Sequence, residues 1–170
     1  MIIFRPTLSL AKALKQRDLA DEPAATRPLN DWCVRSFRVR RTAYLIFTDS
    51  LSLYSLITPQ RGITNVAKLR QAFATLVHTN FNHPTLGSTP ASDILKRMTD
   101  CRIARNRDRR VLGSMTDLVW NAQYHLDYGD SLAATIANVN EAPMGQLKMN
   151  NPTCELAEQL AAPFKPLERD

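Results

Sequence analysis

Residues 107–120, RDRRVLGSMTDLVW, set three arginines, a glycine, a serine and two aspartates just ahead of an apolar run at helical spacing. Arginine carries a planar fork of donors that matches phosphate or carboxylate. A helix start adds free N–H groups and the positive end of the helix dipole. Arg107, Arg109 and Arg110 at the mouth of a helix beginning at Ser114 would therefore make an anion site. The same arginines could equally pair with an acidic neighbour. Ser114 followed three residues later by Asp117 fits a capping box, in which the serine oxygen accepts a first-turn N–H and the acid reaches back. That box accounts for Gly113, Ser114 and Asp117 with no ligand at all, and leaves the arginines unexplained.

The helix that follows carries a second constellation. Asp117, Asn121 and His125 recur every four residues as a polar stripe, and Trp120, Tyr124 and Tyr128 recur beside it as an aromatic one. Asp117 and His125 cannot form a compact dyad, because eight residues of helix rise about 12 Å. His125 is expected to be a surface histidine, and the aromatic stripe to be core or a partner-facing surface rather than a base-stacking platform. Signatures of common enzymes are missing: there is no HExxH, GxGxxG, P-loop or GxSxG, and His78 and His83 lack acidic neighbours. No metal site and no cofactor are expected, and an enzyme would have to use an unrecognised site around Arg109, Asp117, Asn121 and His125.

Charge points towards an anionic partner. The 170-residue chain carries a net charge of +6, and nine of its 22 lysines and arginines lie in two short segments. Arg35, Arg38, Arg40 and Arg41 form one, and Arg102, Arg105, Arg107, Arg109 and Arg110 the other. A clustered basic face is the usual footprint of a nucleic-acid partner. A solvated face or an internal ion-pair network gives the same pattern.

The elements that must position these groups divide the chain at Pro59. Residues 32–58 read as strands, WCVRSFRV, AYLIFTD and SLYSLIT, separated by RRT and DSL breaks, which predicts an antiparallel meander. Ile2, Ile3 and Phe4 can add a strand, Leu8 to Lys15 a short helix, and PAATRP a loop. After Pro59 the period becomes helical. Val66, Leu69, Phe73, Leu76 and Val77 share one face. Thr89-Pro90 and Asn151-Pro152 are start signals, a capping residue followed by proline at the first helical position. Ile94, Leu95 and Met98 point inward from the first of these helices. Leu132, Ile136 and Val139 make a further helix stopped by Pro143, and Leu156 and Leu160 a last one ending before Pro163. HTNFNHPTLGST, residues 78–89, is loop-like.

The fold class expected is α+β: three to four strands in a meander, covered on one face by four to five helices. Residues 1–170 are expected to form a single domain, mainly strands over 1–58, mainly helices over 59–162, and a tail over 163–170. Cys33, Cys101 and Cys154 are odd in number and form no CxxC pair, so they read as reduced, buried thiols. Arg5 and Pro6 break the N-terminal apolar run, and no stretch approaches the ~20 apolar residues of a membrane span. A cytoplasmic protein with no membrane partner is expected.

LNDW (29–32), TAYLIFTDSLSLYSLI, NRDRRVLGSMTDL (106–118), NEAPMGQL and NPTCELAEQL together resemble a family of small bacterial proteins carrying a domain of unknown function. The resemblance runs over nearly the whole chain, and its most specific part is RRVLGSMTDL. Thr116 stands there where the family usually has Asn, which removes an amide that a polar site could use. The resemblance implies a single α+β domain of bacterial or phage origin, and no catalytic residue. Three expectations follow. The first is a non-enzymatic protein binding nucleic acid or another phosphate-bearing ligand through Arg35, Arg38, Arg40, Arg41, Arg107, Arg109, Arg110 and Ser114. The second is a protein–protein accessory or regulatory module of a bacterial mobile element or defence system. The third, an enzyme, is least favoured.

Overall fold

The structure, a computed structural model, describes residues 1–81 and 91–162. His83, the Thr89-Pro90 start signal, most of the 78–89 segment and the 163–170 tail lie outside the described residues. The chain is α+β. Its elements, in order, are β1 (Ile2–Pro6), α1 (Leu8–Ala13), β2 (Asp31–Val39), β3 (Thr42–Asp49), β4 (Ser55–Pro59), α2 (Val66–Asn80) and α3 (Ala91–Arg97). They continue as β5 (Cys101–Ile103), α4 (Arg109–Asp127), α5 (Leu132–Glu141), a single 3₁₀ turn (Gly145–Leu147) and α6 (Pro152–Ala161).

The meander forms where the β-branched and aromatic runs and the short breaks between them predict it. β2 pairs antiparallel with β3, and β3 with β4. Val39 and Thr42 are partners, so Arg40 and Arg41 make a two-residue hairpin turn, with Arg40 at φ 51. The next turn is built by one side chain. The Asp49 carboxylate accepts hydrogen bonds from the backbone N–H groups of Leu29, Leu51 and Ser52 and from the Ser52 hydroxyl.

Two features depart from the expected meander. The sheet has five strands in the order β4-β3-β2-β1-β5, and it is mixed, because β1 runs parallel to both of its neighbours. β1 is therefore interior, with all five residues buried. The helices also cover both faces rather than one. On one face Phe4, Trp32 and Phe47 pack their rings around Phe73 of α2 at centroid distances of 5.0, 4.8 and 5.3 Å. On the other, the Arg35 guanidinium donates to the Thr116 hydroxyl of α4 at 3.0 Å. Trp32 and Arg35 are three residues apart on one strand, and side chains alternate, so α2 and α4 lie on opposite faces. Leu45, Ile46 and Phe47 are all fully buried, as a strand covered on both sides requires.

Arg5, at the interior of the sheet, is only 6% exposed. Its Nε donates to both Asp31 oxygens at 2.7 and 2.9 Å. Its terminal nitrogens donate to the carbonyls of Glu22, Pro23 and Arg105. One guanidinium thus ties β1 to the start of β2, to the loop before it and to the segment leading into α4. Three helix starts follow their caps: Asn65, Ser131 and Asn151 accept from Lys68, Ala134 and Cys154 N–H groups.

Candidate functional site

α4 begins six residues earlier than the capping box predicts, with its cap at position 108 and not 114. Asp108 is its N-cap, and its carboxylate accepts from the N–H groups of Arg110 and Val111 at 2.9 and 3.1 Å. The anion place at this helix start is thus filled by the chain's own carboxylate. Ser114 lies inside the helix, buried, and its hydroxyl donates to Gln146 Oε1 at 2.7 Å across to the 3₁₀ turn. Ser114 is not the cap of α4, and Asp117 closes no capping box. The sequence holds a better signal: Val111 already starts the apolar period, and Asp108, a capping residue type, stands three positions before it.

The arginines divide into paired and open ones. Arg107 pairs with Asp21, and Arg102 with Glu22. Arg40 binds the Asp127 carboxylate with Nε at 2.7 Å and the Asp127 carbonyl with Nη2 at 2.8 Å. Arg35 is half-buried against Thr116. Arg38, Arg41, Arg109 and Arg110 are exposed, and among the described residues their guanidinium groups have no hydrogen-bond or ion-pair partner.

The two arginine clusters border the same helix. Arg35 meets Thr116, the Arg38 carbonyl accepts from Gln123, and Arg40 meets Asp127, so β2 and α4 run side by side in one direction. Arg109 and Arg110 open α4, while Arg41 stands beside its far end; the Arg38 side chain, three residues on from Arg35, points to the other face of the sheet. By helix rise the ends of α4 are about 27 Å apart.

Between them runs the outer face of α4. Its inner face buries Val111, Met115, Leu118, Val119 and Ala122 against the sheet. Its outer face shows Gly113, Asp117, Trp120, Tyr124 and Tyr128. The three aromatics are 69%, 59% and 76% exposed, so the stripe is surface and not core. The Tyr124 and Tyr128 rings lean together with centroids 4.5 Å apart.

The polar stripe does not converge. Asp117 is exposed and Asn121 half-buried, and neither side chain has a hydrogen-bond partner among the described residues. His125 is half-buried and takes partners from beyond its own helix. Its Nδ1 lies 2.7 Å from Asp130 Oδ2 and 3.2 Å from Asn138 Nδ2. Arg109 and His125 are 16 residues apart on one helix, about 24 Å. The four residues of the enzyme alternative therefore share no reaction centre.

Other reactive groups are shielded or scattered. Burial pushes the Cys33 thiol up to about 12, which holds it protonated and unreactive. Cys101 is half-buried and raised for the same reason, while Cys154 is exposed, against the expectation of buried thiols. Among the described residues no three His, Cys, Asp or Glu side chains are grouped to hold a metal ion. No described helix is long and apolar enough to cross a membrane. A groove of about 690 Å³ between α2 and α5, at the β4 edge, is lined by Thr58, Arg61, Thr75, Leu76 and Ile136 and gathers no reactive side chains.

A five-stranded mixed sheet between helices, with an arginine- and aromatic-bordered helix on its surface, describes a small α+β fold. The chain belongs to the family described as domain of unknown function (DUF6933), whose model matches residues 3–155. The match runs from β1 into the first turn of α6 and takes in the whole of α4. No curated protein and no solved structure matches the chain.

Proposed function

We propose that the protein binds nucleic acid or another phosphate-bearing polyanion through the open arginines bordering α4, and performs no chemistry on it. The observation that carries this reading is the set Arg41, Arg109 and Arg110, exposed at the two ends of one helix without an acidic partner among the described residues. An unpaired guanidinium on the surface is free to exchange water and counterions for phosphate. Four other members of the two clusters serve the fold: Arg35, Arg40, Arg102 and Arg107 are engaged within the chain. Titration of fluorescent DNA and RNA at several salt concentrations tests the reading. Binding at low salt that falls steeply as salt rises is expected, and no binding at low salt overturns it.

A second reading has its own support. Trp120 and Tyr124 are the residue types that dominate protein–protein hot spots, and they stand exposed beside arginines. A protein partner docking on α4 would serve an accessory or regulatory module. It requires affinity that survives salt, which the same titration separates.

A further inference from the structure

We infer that the outer face of α4 selects single-stranded over duplex nucleic acid, with unpaired bases stacking on Trp120 and on the Tyr124–Tyr128 pair. The inference rests on the polyanion reading above and names its substrate class. Three observations meet on this face. The first is the set of exposed rings. Tyr124 and Tyr128 touch and act as one platform, and Trp120, one turn away, makes a second. A duplex hides its base faces, so rings laid along a helix cannot stack on it. An unpaired strand offers every base face, and aromatic stacking is tolerant of sequence.

The second observation is what surrounds the rings. Arg41 stands at the hairpin beside the C-terminal end of α4, and Arg109 and Arg110 at its start, so open cations lie at both ends of the aromatic track. Among the described residues the other exposed large apolar side chains are Met1, Leu8, Leu51 and Met149, none of them on α4. The patch therefore presents ring faces among charged groups, which suits bases and phosphates better than the apolar core of a protein interface.

The third observation is Gly113. Glycine in the middle of a helix weakens it relative to alanine. Packing does not require it here, since a Cβ at Gly113 would meet nothing within 4 Å. With no side chain at this position, bare backbone faces outward one turn after Arg109 and Arg110, where a strand can approach closely. Two acidic groups share the face. Asp127 is neutralised by Arg40, and Asp117, two turns before Tyr124 and next to Trp120 on the face, repels phosphate while able to accept from base amino groups.

The test compares an oligo-dT strand of about eight nucleotides, within the usual range of site sizes, with a blunt duplex of equal phosphate count and with heparin. Trp32 is fully buried, so quenching of intrinsic fluorescence on titration reports on Trp120. Oligo-dT is expected to quench it and to bind at least about tenfold more tightly than the duplex at equal salt, one stacked base being worth about that factor. Trp120→Ala and Tyr124→Ala should each remove most of that preference, and Gly113→Ala should weaken oligo-dT binding without unfolding the protein. Equal binding of strand, duplex and heparin, unaltered by Trp120→Ala, overturns single-strand selection while leaving the arginine reading standing. No binding of any of the three at low salt overturns both. Self-association that buries Trp120 in place of nucleic-acid binding overturns them in favour of a protein interface.

Discussion

Arg5 and Arg109 are the same side chain put to opposite uses. Arg5 is buried in the middle of the sheet, its guanidinium nitrogens spent on the Asp31 carboxylate and three backbone carbonyls. Arg109, with Arg110, sits on the first turn of α4 with its guanidinium open to water. A guanidinium is so costly to bury that it must be fully paired, whereas an exposed one contributes little to the fold and remains available. Clustering in sequence does not distinguish the two. Arg5 stands alone in the sequence yet joins three segments, and Arg107, inside a cluster, is tied to Asp21. Availability is a property of partners, and only the fold supplies them.

The largest expected effect separates these two arginines directly. Arg5→Ala leaves Asp31 buried without its cation and should lower stability by about 3–5 kcal/mol. Arg109→Ala and Arg110→Ala should stay within about 0.5 kcal/mol of the wild type. Urea unfolding of the three variants measures this, and similar losses in all three would dissolve the comparison.

A pH titration extends it to the second buried charge. Burial raises the Asp49 carboxyl from 3.8 to about 6, against the pull of its four hydrogen-bond donors. Folded Asp49 then holds its proton more tightly than unfolded Asp49. Its stabilising contribution is complete below about pH 4 and is lost as pH rises through about 6. The carboxyl carbon shift of Asp49 by NMR should move with a midpoint near 6, whereas a midpoint below 4 would mean that the donors outweigh burial.

Smaller effects sharpen the assignment of α4. Asp108→Ala should cost about 0.5–2 kcal/mol as a lost cap, and Ser114→Ala about 0.5–1.5 kcal/mol as a lost hydrogen bond. The two are told apart by Gln146→Ala, which should couple to Ser114→Ala in a double-mutant cycle and add independently to Asp108→Ala. Coupling to Asp108 would return Ser114 to the helix start. The smallest effect has the opposite sign: Gly113→Ala should raise stability by about 0.5–1 kcal/mol, since the site is open and helical. A destabilised variant would show that the glycine is there for the fold.

The legible parts of the sequence are those whose signals are local. β2, β3 and β4 are runs of β-branched and aromatic residues joined by short turns, and α2, α5 and α6 announce themselves through apolar spacing, α6 also through its Asn151-Pro152 start. β1 is legible as a strand but not as an interior one, because parallel pairing with β2 runs through a crossover and leaves no turn to read. β5 has three residues, one of them exposed Arg102, too short for any period. At the site, the strand and the helix that the arginines border are legible, and the Asp108 start of α4 is present in the sequence but masked by a false cap. Ser114 and Asp117 imitate a capping box at a spacing that successive helical turns also produce. The Asp130 and Asn138 partners of His125 are out of reach of sequence reasoning because the chain turns at Gly129, at φ 95, before returning beside the helix.

The central claim is that open arginines on α4 hold phosphate. It is tested most directly by the salt dependence of nucleic-acid binding in the Arg109→Ala/Arg110→Ala double mutant beside the wild type, with thermal melts showing that both are folded. The slope of log affinity against log salt should flatten by about one unit for each phosphate that the double mutant no longer neutralises, with little dependence on base sequence. Equal slopes in the two proteins would contradict the claim and leave α4 to a protein partner.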